Sequence, residues 1–267
     1  MPNWKLVIEY EGTRYSGWQE QKNARTVAGE VRGAAERFFS MPVEVMGAGR
    51  TDAGVHALAQ VASLRADRRV KPLELLRALN DGLPPDINVL RVDEAQPRFD
   101  PRRDAVMRYY MYQISLRRSA FAKRYVWWVK DRLDVSLMRD ACGMLVGRHD
   151  FERFRDQRGD EGSSIVVVGH AEMVTDGELL LFRIGASHFL WKMVRRIVGA
   201  LVDVGRASVS VRDFESLVKR GSSKERAGDY QIAAHTAPPS GLFLERVLYN
   251  KSEKVPPLSA AFPVKKA

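Results

Sequence analysis

The sequence predicts an α+β protein of two related halves, and two observations carry this prediction. Segments in which apolar and polar residues alternate, as in a half-buried strand, recur between segments whose apolar residues have helical spacing. The first hundred residues follow the order strand, helix, strand, strand, helix, strand, and the remaining chain repeats it with one added helix. This order is typical of ferredoxin-like, split βαβ halves. We expect both halves to share one mainly antiparallel sheet.

Residues 1–101 form the first predicted half. Alternating apolar residues in "NWKLVIEYEG" predict an opening strand, and apolar residues at helical spacing predict a helix in "TVAGEVRGAAERFF". Short strands are expected at about Val43–Met46 and Leu58–Leu64, on either side of a glycine-rich stretch. A second helix in "KPLELLRALNDG" is stopped by Pro84 and Pro85, and a strand follows.

Residues 102–250 form the second predicted half, and residues 251–267 form a basic, proline-containing tail. Strands are predicted in "RYYMYQISL", in "IVVVGHAEMV" and "ELLLFRIGA" on either side of a turn at 175–177, and in the closing "GLFLERVLY". Helices are predicted in "DVSLMRDACGMLVG", with Asp134 as its cap, in the long "FLWKMVRRIVGALVDVG", and in the added "VRDFESLVKRG". The tail is predicted to be a mobile extension, and contact with RNA is the alternative.

Charge and cysteine content narrow the class of protein. The chain carries 43 Lys and Arg residues against 33 Asp and Glu residues, a formal charge of +10. A chain this basic is typical of proteins that bind polyanions, nucleic acid first, and charge for solubility alone is the alternative. The single cysteine, Cys142, excludes an internal disulfide and fits a reducing compartment. We expect a cytoplasmic protein, because the sequence has neither a signal-peptide pattern nor an apolar run of membrane-spanning length.

The stretch "GAGRTDAGVHALAQ", residues 47–60, has the composition of a functional loop. Three glycines within eight residues indicate an unusual backbone or the close approach of another molecule, and the alternative is a tight connection between two strands. Arg50, Asp52 and His56 lie among or just after these glycines. Asp52 is the candidate nucleophile or base, whereas His56 is expected to pack or to position a neighbour.

Spacing excludes several other kinds of site. The stretch lacks the third glycine and the following helix of a dinucleotide fingerprint, and no Gly-Lys-Ser/Thr closes it as in a P-loop. The histidines are scattered and one cysteine cannot build a structural zinc site, so no metal is predicted. A serine hydrolase is excluded because the sequence has no Gly-x-Ser-x-Gly. A phosphate-ester hydrolase that uses Asp52 and His56 stays an alternative.

The segment "GRTDAGVHA" closely resembles the signature of the TruA family of pseudouridine synthases. Further family landmarks follow in the right order: "YEGTRYSGWQEQ", "LPPDINV", "RYYMYQI", "FLWKMVRRIVG" and "APPSGLFLERVLY". The resemblance extends from about Lys5 to Tyr249 and leaves only the tail outside. It implies an isomerase that needs no cofactor and converts uridine to pseudouridine in the anticodon stem-loop of transfer RNA. It also implies the pseudouridine synthase fold, with a central active-site cleft, and a homodimer.

The resemblance also implies roles for individual residues. Asp52 corresponds to the essential catalytic carboxylate, Tyr110 to the active-site tyrosine, and Arg195 to the arginine that pairs with the aspartate. The residues alone favour the alternative that Tyr109, Tyr110 and Tyr112 are ordinary strand residues, with one face in the core and one in solvent. Leu242 belongs to a closing Gly-Leu segment that adds apolar packing under the base. Arg50 is expected to bind RNA phosphates or to hold the space left by the extruded base, and a solvated surface arginine is the alternative.

The sequence departs from the usual family pattern at three places. The family's usual Thr-Val-Gln is Thr26-Val27-Ala28 here, its polar pair before Met-Val-Arg is Trp191-Lys192, and "RGDEGSSIVVVG" lacks an expected arginine. These departures concern RNA contacts and the target position rather than the reaction.

The second hypothesis is a catalytically silent RNA-binding protein of the same fold. Residues that are candidates for phosphate contacts include Arg14, Lys22, Arg68, Arg69, Arg102, Arg103, Arg117, Arg118, Lys123 and Arg124.

Overall fold

The structure is a computed structural model that describes residues 1–156, 162–219 and 230–265, and the chain falls into two compact units. The first unit comprises Met1–Val106 and Phe243–Glu253, and the second comprises Met107–Leu242 and Lys254–Ala267. The sequence places residues 243–253 in the second half, but in the structure they pack with the first unit. The reason is that the closing strand pairs with a strand of the first unit.

The first unit has its strands and helices in the predicted order: strand, helix, strand, strand, helix, strand. Its elements are β1 (Asn3–Tyr10), α1 (Val27–Phe39), β2 (Glu44–Gly47), β3 (His56–Arg65), α2 (Pro72–Gly82), β4 (Ile87–Ala95) and most of β10 (Leu242–Leu248). In its sheet, β1 lies between β4 and β3 and is antiparallel to both. β2 pairs antiparallel with the C-terminal part of β3, and β10 pairs parallel with the N-terminal part of β3.

Local chemistry explains where the two helices of the first unit begin. The Thr26 side chain caps α1 by accepting a hydrogen bond from the Gly29 N–H, and the helix buries one apolar face that ends at Phe39. The Phe39 ring packs against Trp4 of β1, with ring centroids 5.7 Å apart. α2 begins with Pro72 at its first position, where the missing N–H costs no helical hydrogen bond. Both helices confirm their predictions from periodicity.

The second unit is built on a four-strand antiparallel path with helices from the intervening segments. Its elements are β5 (Met107–Ser115), β6 (Trp127–Trp128), α3 (Val135–Gly143), β7 (Gly147–Asp150), β8 (Ile165–Asp176), β9 (Leu179–Ala186), α4 (Met193–Gly205) and α5 (Val211–Lys219). The strands follow the order β5, β9, β8, β7, and β6 adds a short parallel pairing to β5. The mixed α+β class and the mainly antiparallel pairing are therefore confirmed.

Several details of the second unit agree with the sequence and others differ. Asp134 caps α3 as predicted, by accepting hydrogen bonds from the N–H groups of Ser136 and Leu137. The long helix begins at Met193 and not at Phe189, because Lys192 has a left-handed backbone with φ of 58°. β6 and β7 were not predicted, since β6 has only two residues and the sequence of β7, Gly-Arg-His-Asp, contains no apolar side chain. The predicted helix end at 220–221 and the start of "RGDEGSSIVVVG" at 158–161 lie outside the described residues.

The prediction of a mobile C-terminal extension is wrong for the described part of the tail. Val264 joins a buried apolar cluster of the second unit, and Leu258, Ala260 and Phe262 pack around this cluster. The buried side chain of Gln113 also accepts hydrogen bonds from the N–H groups of Ala261 and Phe262. The prediction of mobility rested on the basic, proline-rich composition of the tail and did not weigh its apolar residues, which make these contacts. No helix in the described part of the chain combines the length and the apolarity needed to cross a membrane.

Candidate active site

The glycine-rich loop between β2 and β3 has a fixed backbone at the residue before Asp52. The Thr51 carbonyl accepts a hydrogen bond from the Trp18 N–H at 3.1 Å, and the Thr51 hydroxyl lies 2.8 Å from the Tyr10 hydroxyl. Burial raises the pKa of Tyr10 well above its ordinary value, so this hydroxyl stays protonated at neutral pH. The backbone that presents Asp52 is therefore tied to the first strand and to the segment that follows it.

Asp52 lies at the start of a tight turn and is half-buried. Its carbonyl accepts a hydrogen bond from the Val55 N–H at 3.1 Å, and Gly54 inside the turn has φ of +78°. A positive φ favours glycine at this position. The turn ends directly in the buried start of β3, so the carboxylate is carried by a short, rigid connection.

Two glycines from another segment allow the chain to pack directly against this loop. Gly17 has φ of +93°, and a Cβ there would lie 2.5 Å from the Thr51 oxygen and 3.2 Å from the Asp52 carbonyl carbon. A Cβ at Gly12 would lie 1.9 Å from the Val55 oxygen. Sequence reasoning missed these two positions, because it weighed the glycines inside the loop and not those that lie against it.

His56 is a packed and hydrogen-bonded ring, in agreement with its predicted packing role. It is 1% exposed, its Nδ1 accepts a hydrogen bond from the Gly12 N–H at 3.0 Å, and its ring stacks on Phe243 with centroids 4.8 Å apart. The Glu11 carboxylate lies 3.6 Å from the same nitrogen. The ring thus connects the start of β3 to the residues around Gly12 and to β10.

Arg50 differs from its neighbours because its side chain is exposed. The backbone just before it is held, since the Gly49 carbonyl accepts a hydrogen bond from the Gln60 side chain at 2.8 Å. An exposed guanidinium on a fixed backbone beside Asp52 is suited to contact a phosphate.

In the second unit, Tyr110 lies in β5 opposite Ile184 of β9 and is 7% exposed. Its ring meets Phe189 edge to face, with centroids 5.0 Å apart and planes at 85°. Phe189 belongs to the segment that leads into α4. The tyrosine is therefore held by a sheet neighbour and by an aromatic ring, and its orientation is fixed by packing.

Arg195 lies in the first turn of α4 and is half-buried. Its Nε donates a hydrogen bond to the Ala237 carbonyl at 2.7 Å, and the Ala237 N–H donates to the Arg195 carbonyl at 3.1 Å. The segment around Ala237 is itself anchored to α4, because His235 and the Tyr230 hydroxyl lie 2.7 and 2.8 Å from the buried Asp203 carboxylate. The guanidinium is thus held by a segment that α4 holds in turn.

Leu242 follows the same segment and is buried. The Pro238 carbonyl accepts a hydrogen bond from the Tyr112 hydroxyl at 2.7 Å, and a Cβ at Gly241 would lie 2.6 Å from the Tyr112 ring. Burial raises the pKa of Tyr112 well above its ordinary value, and the nearby Arg195 opposes that shift. Arg195, Tyr112 and Leu242 therefore belong to one connected part of the second unit.

The predicted site residues divide between the units. Arg50 and Asp52 lie in the loop of the first unit, whereas Tyr110, Arg195 and Leu242 lie in the second. Among residues 1–156, 162–219 and 230–265, no group of three or more His, Cys, Asp or Glu side chains is arranged to hold a metal ion.

The departure at Trp191-Lys192 has a structural role that the sequence did not indicate. The Lys192 ammonium lies 2.7 Å from the buried Asp156 carboxylate, and the Arg196 guanidinium lies 3.7 Å from the same oxygen. The Lys192 ammonium also lies 4.9 Å from the centre of the Trp191 ring. The left-handed backbone of Lys192 directs its side chain into this ion-pair cluster at the start of α4.

The chain is similar to known proteins over most of its length. A family model described as tRNA pseudouridine synthase matches residues 6–102 and 141–250. The tRNA pseudouridine synthase A of Citrifermentans bemidjiense is 39% identical over 254 residues, which are 94% of this chain and 99% of the relative. The protein of the same name from Rhodopseudomonas palustris is 38% identical, over 93% of this chain and 100% of the relative. The one from Thermodesulfovibrio yellowstonii is 34% identical, again over 93% and 100%.

Proposed function

The chain belongs to the tRNA pseudouridine synthase family, and from this premise we propose that Asp52 is its catalytic carboxylate. The enzyme is an isomerase that converts uridine to pseudouridine in tRNA. The bond between ribose and uracil nitrogen breaks, the base turns, and it is rejoined through carbon. Since no atoms are gained or lost, the reaction itself calls for neither a redox cofactor nor an energy source.

The observation that carries the proposal is the fixed backbone on both sides of Asp52. Thr51 is held by Trp18 and Tyr10, and the Asp52 carbonyl is held by Val55. A carboxylate on such a backbone is pre-positioned, and positioning of a reacting group contributes several kcal/mol to catalysis in well-oriented systems, roughly 7–11 at the upper limit. The carboxylate acts as a nucleophile at the sugar or as a nucleophile or base at the uracil ring.

Arg195 is proposed to pair with the Asp52 carboxylate when RNA is bound. A carboxylate that loses water beside a flipped base is stabilised by an adjacent, permanently charged guanidinium. The Nε hydrogen bond to Ala237 supports this role, because it fixes the direction of the guanidinium before the RNA arrives. Arg195 is then a positioning residue, since it acts through Asp52.

Tyr110 and Leu242 are proposed to receive the extruded base. Flipping a nucleotide out of its stack takes a few kcal/mol, and stacking on an aromatic ring recovers roughly 1–3 kcal/mol per base. The edge-to-face contact with Phe189 supports this role for Tyr110, because a ring fixed in advance loses little entropy on binding. Leu242 supplies an apolar surface under the base.

The RNA target and the assembly complete the proposal. We propose the anticodon stem-loop as the target, with Arg50 on its phosphates, and a homodimer in the cytoplasm. The excess of ten positive charges supports a polyanionic substrate. The strand order β4, β1, β3, β2 with two intervening helices supports a ferredoxin-like first half. The shared sheet and the central cleft stay predictions from the sequence.

The catalytic proposal is tested with an unmodified tRNA transcript that carries tritium at carbon 5 of its uracils. Wild-type protein is expected to release tritium without added metal or cofactor. Asp52→Asn is expected to release none above background while it still binds the tRNA. Asp67→Asn is the matched control, because it removes the same charge from an exposed position of the same unit and should keep wild-type activity.

The proposed pairing of Arg195 with Asp52 is tested by two variants of Arg195. Arg195→Ala and Arg195→Lys are both expected to lower kcat. Lysine should be less damaging because it keeps the positive charge, but kcat should still fall because lysine lacks the planar guanidinium. If Arg195→Ala turned over normally, the proposed pairing would be refuted. Binding of tRNA by the wild-type chain without tritium release would instead favour a silent RNA-binding protein, and release of inorganic phosphate would favour a hydrolase.

A further inference from the structure

The loop between β5 and β6, residues 116–126, presents an aromatic side chain to solvent. Phe121 is 89% exposed, more than any other large hydrophobic side chain in the described part of the chain. Leu116 at the start of the loop and Trp128 just after it are exposed to 37% and 40%. Large apolar side chains that are exposed close together along the chain are candidates for a binding surface.

The exposure of Phe121 is built into an ordered loop. The next residue, Ala122, is 1% exposed, and its N–H donates a hydrogen bond to the Ser119 hydroxyl at 3.2 Å. The Ala122 carbonyl accepts a hydrogen bond from the Tyr125 N–H at 2.8 Å. The loop therefore turns back immediately after Phe121 and holds that side chain at its tip.

The C-terminal tail holds the loop in place through contacts with Arg117, Ala122 and Tyr125. The Phe262 ring stacks on Tyr125, with centroids 4.6 Å apart and planes at 23°. The Arg117 guanidinium donates two hydrogen bonds to the Lys265 carbonyl, at 3.1 and 2.7 Å. Val264 packs in the same buried cluster as Ala122.

The loop and its continuation carry charge of one sign. Residues 117–130 contain five Lys or Arg side chains and no Asp or Glu. The Arg118 guanidinium lies 5.7 Å from the centre of the exposed Trp128 ring. Aromatic rings interleaved with cations are the composition with which proteins bind unpaired nucleotides, since the rings stack on bases and the cations contact phosphates.

We propose that this loop, held by the tail, is a second tRNA-contact surface in which Phe121 stacks on an unpaired base. Arg118, Lys123 and Arg124 contact the adjoining phosphates. The loop and the tail both lie outside the residues that the family model matches, 6–102 and 141–250. The proposal rests on tRNA as the substrate, but not on the role of any catalytic residue.

A second copy of the chain is the competing occupant of this surface. Two copies that met through the loop would bring two cationic segments together without intervening acidic residues from the loop. Like charges at close range oppose such a contact, whereas a polyanion is attracted. The charge therefore favours RNA.

The first test measures the affinity of the full chain for an unmodified tRNA transcript by fluorescence anisotropy. Phe121→Ala is expected to weaken binding by roughly 5- to 150-fold, the equivalent of losing one stacked base. Phe121→Trp is expected to retain wild-type affinity. Leu73→Ala is the matched control, because it truncates another exposed apolar side chain, 56% exposed, on α2 of the first unit. Equal affinities of Phe121→Ala and Leu73→Ala would overturn the proposal.

The second test places the photocrosslinker benzoylphenylalanine at position 121. A crosslink to tRNA supports the proposal, and a crosslink between two protein chains overturns it in favour of self-association. Lys123→Ala adds a further readout, since loss of one phosphate contact should reduce the slope of log Kd against log salt by about 0.7–0.9. An unchanged slope would remove Lys123 from the surface.

Tritium release measured on the same preparations separates this proposal from the catalytic one. If wild-type protein turns over and Phe121→Ala has unchanged affinity and KM, the loop proposal fails alone. If wild-type protein shows no turnover but Phe121→Ala binds tRNA more weakly, the catalytic proposal fails and the loop proposal stands.

Discussion

Arg195 and Ala237 are joined by two hydrogen bonds that run in opposite directions. The Arg195 Nε donates to the Ala237 carbonyl, and the Ala237 N–H donates to the Arg195 carbonyl. Gly199, one turn further along α4, lies against the same segment, and a Cβ there would be 1.7 Å from the His235 oxygen. The direction of the guanidinium therefore depends on a glycine that lets the segment approach the helix.

Gly199→Ala is expected to displace residues 235–237 and to disturb Arg195. Overpacking of this kind lowers stability by about 1–3 kcal/mol, and the turnover number should fall as well. Urea unfolding and tritium release check both effects. Gly143→Ala is the control, because no heavy atom lies within 4 Å of a Cβ there, and this variant should keep wild-type stability. Equal behaviour of the two variants would contradict the prediction.

Gly17→Ala is expected to lower turnover through the backbone of Asp52. The left-handed φ of Gly17 strains any side chain, and the added Cβ would lie 2.5 Å from the Thr51 oxygen. A shift of about 1 Å in a positioned catalytic group costs on the order of 100-fold in rate. Affinity for tRNA should change much less than kcat.

Gly33→Ala is the control for Gly17→Ala. Gly33 lies in α1 of the same unit, and the nearest atom to its added Cβ belongs to the flexible Arg37 side chain at 3.3 Å. Alanine also favours the helix by roughly 1 kcal/mol. We expect Gly33→Ala to have wild-type kcat and equal or higher stability. A loss of kcat as large as that of Gly17→Ala would contradict the prediction that Gly17 acts through the backbone of Asp52.

His56→Asn distinguishes a positioning ring from a catalytic base. The asparagine carbonyl oxygen can accept the Gly12 hydrogen bond, so the loop should stay in place and kcat should remain within about 10-fold of wild type. His56→Leu leaves the buried Gly12 N–H without its acceptor and should destabilise the protein by about 1–3 kcal/mol. Abolished turnover in a folded His56→Asn protein would show that the ring takes part in the chemistry.

The sequence predicts the position of the glycine-rich loop between β2 and β3 well because its signals are local. Glycines, Arg50 and Asp52 lie within eight residues, and the alternation in β3 begins directly after them. The reasons for Gly12 and Gly17 are nonlocal, since the backbone groups that require them belong to Val55 and Thr51, 43 and 34 residues further along the chain. Composition shows that a glycine is present, but only the fold shows what approaches it.

The tail shows the same limit from the opposite direction. Its proline-rich, basic composition predicts mobility, yet Gln113 binds residues about 150 positions away. A buried glutamine inside an apolar strand is the signal that could have indicated a distant polar partner. It could not have indicated which segment supplies that partner.

Alkaline pH is expected to destabilise the protein partly through Cys142. Burial, and less strongly the charge of Glu172, raises the pKa of this thiol to about 12 from an ordinary value of 9.0. The full stabilisation is present below pH 9. Between about pH 9 and pH 12 the unfolded chain loses a proton that the folded chain keeps, so stability falls with a slope of about 1.4 kcal/mol per pH unit.

Urea unfolding of wild type and Cys142→Ala from pH 8 to pH 10 isolates this contribution. The variant loses packing at every pH, and that loss cancels when the pH dependence alone is compared. Wild type should lose more stability than the variant as pH rises. Identical pH dependence in the two proteins would show that the thiol does not contribute.

Gln113→Leu is expected to release the tail from the second unit. The glutamine oxygen accepts from Ala261 and Phe262 at 2.7 and 3.3 Å, and its amide donates to the Tyr125 carbonyl at 2.9 Å. Leucine has a similar size but none of these bonds, so the buried groups lose their partners and stability falls by about 1–3 kcal/mol. Hydrogen exchange should lose protection at the amides of Ala261 and Phe262.

Gln96→Leu, the same change at an exposed position of the first unit, should leave stability within about 0.5 kcal/mol of wild type. Because Tyr125 and Phe262 stack on each other, release of the tail should also loosen the loop that carries Phe121. Affinity for tRNA should then fall in Gln113→Leu but not in Gln96→Leu. If the tail amides stayed protected and stability were unchanged in Gln113→Leu, Gln113 would not be what holds the tail in place.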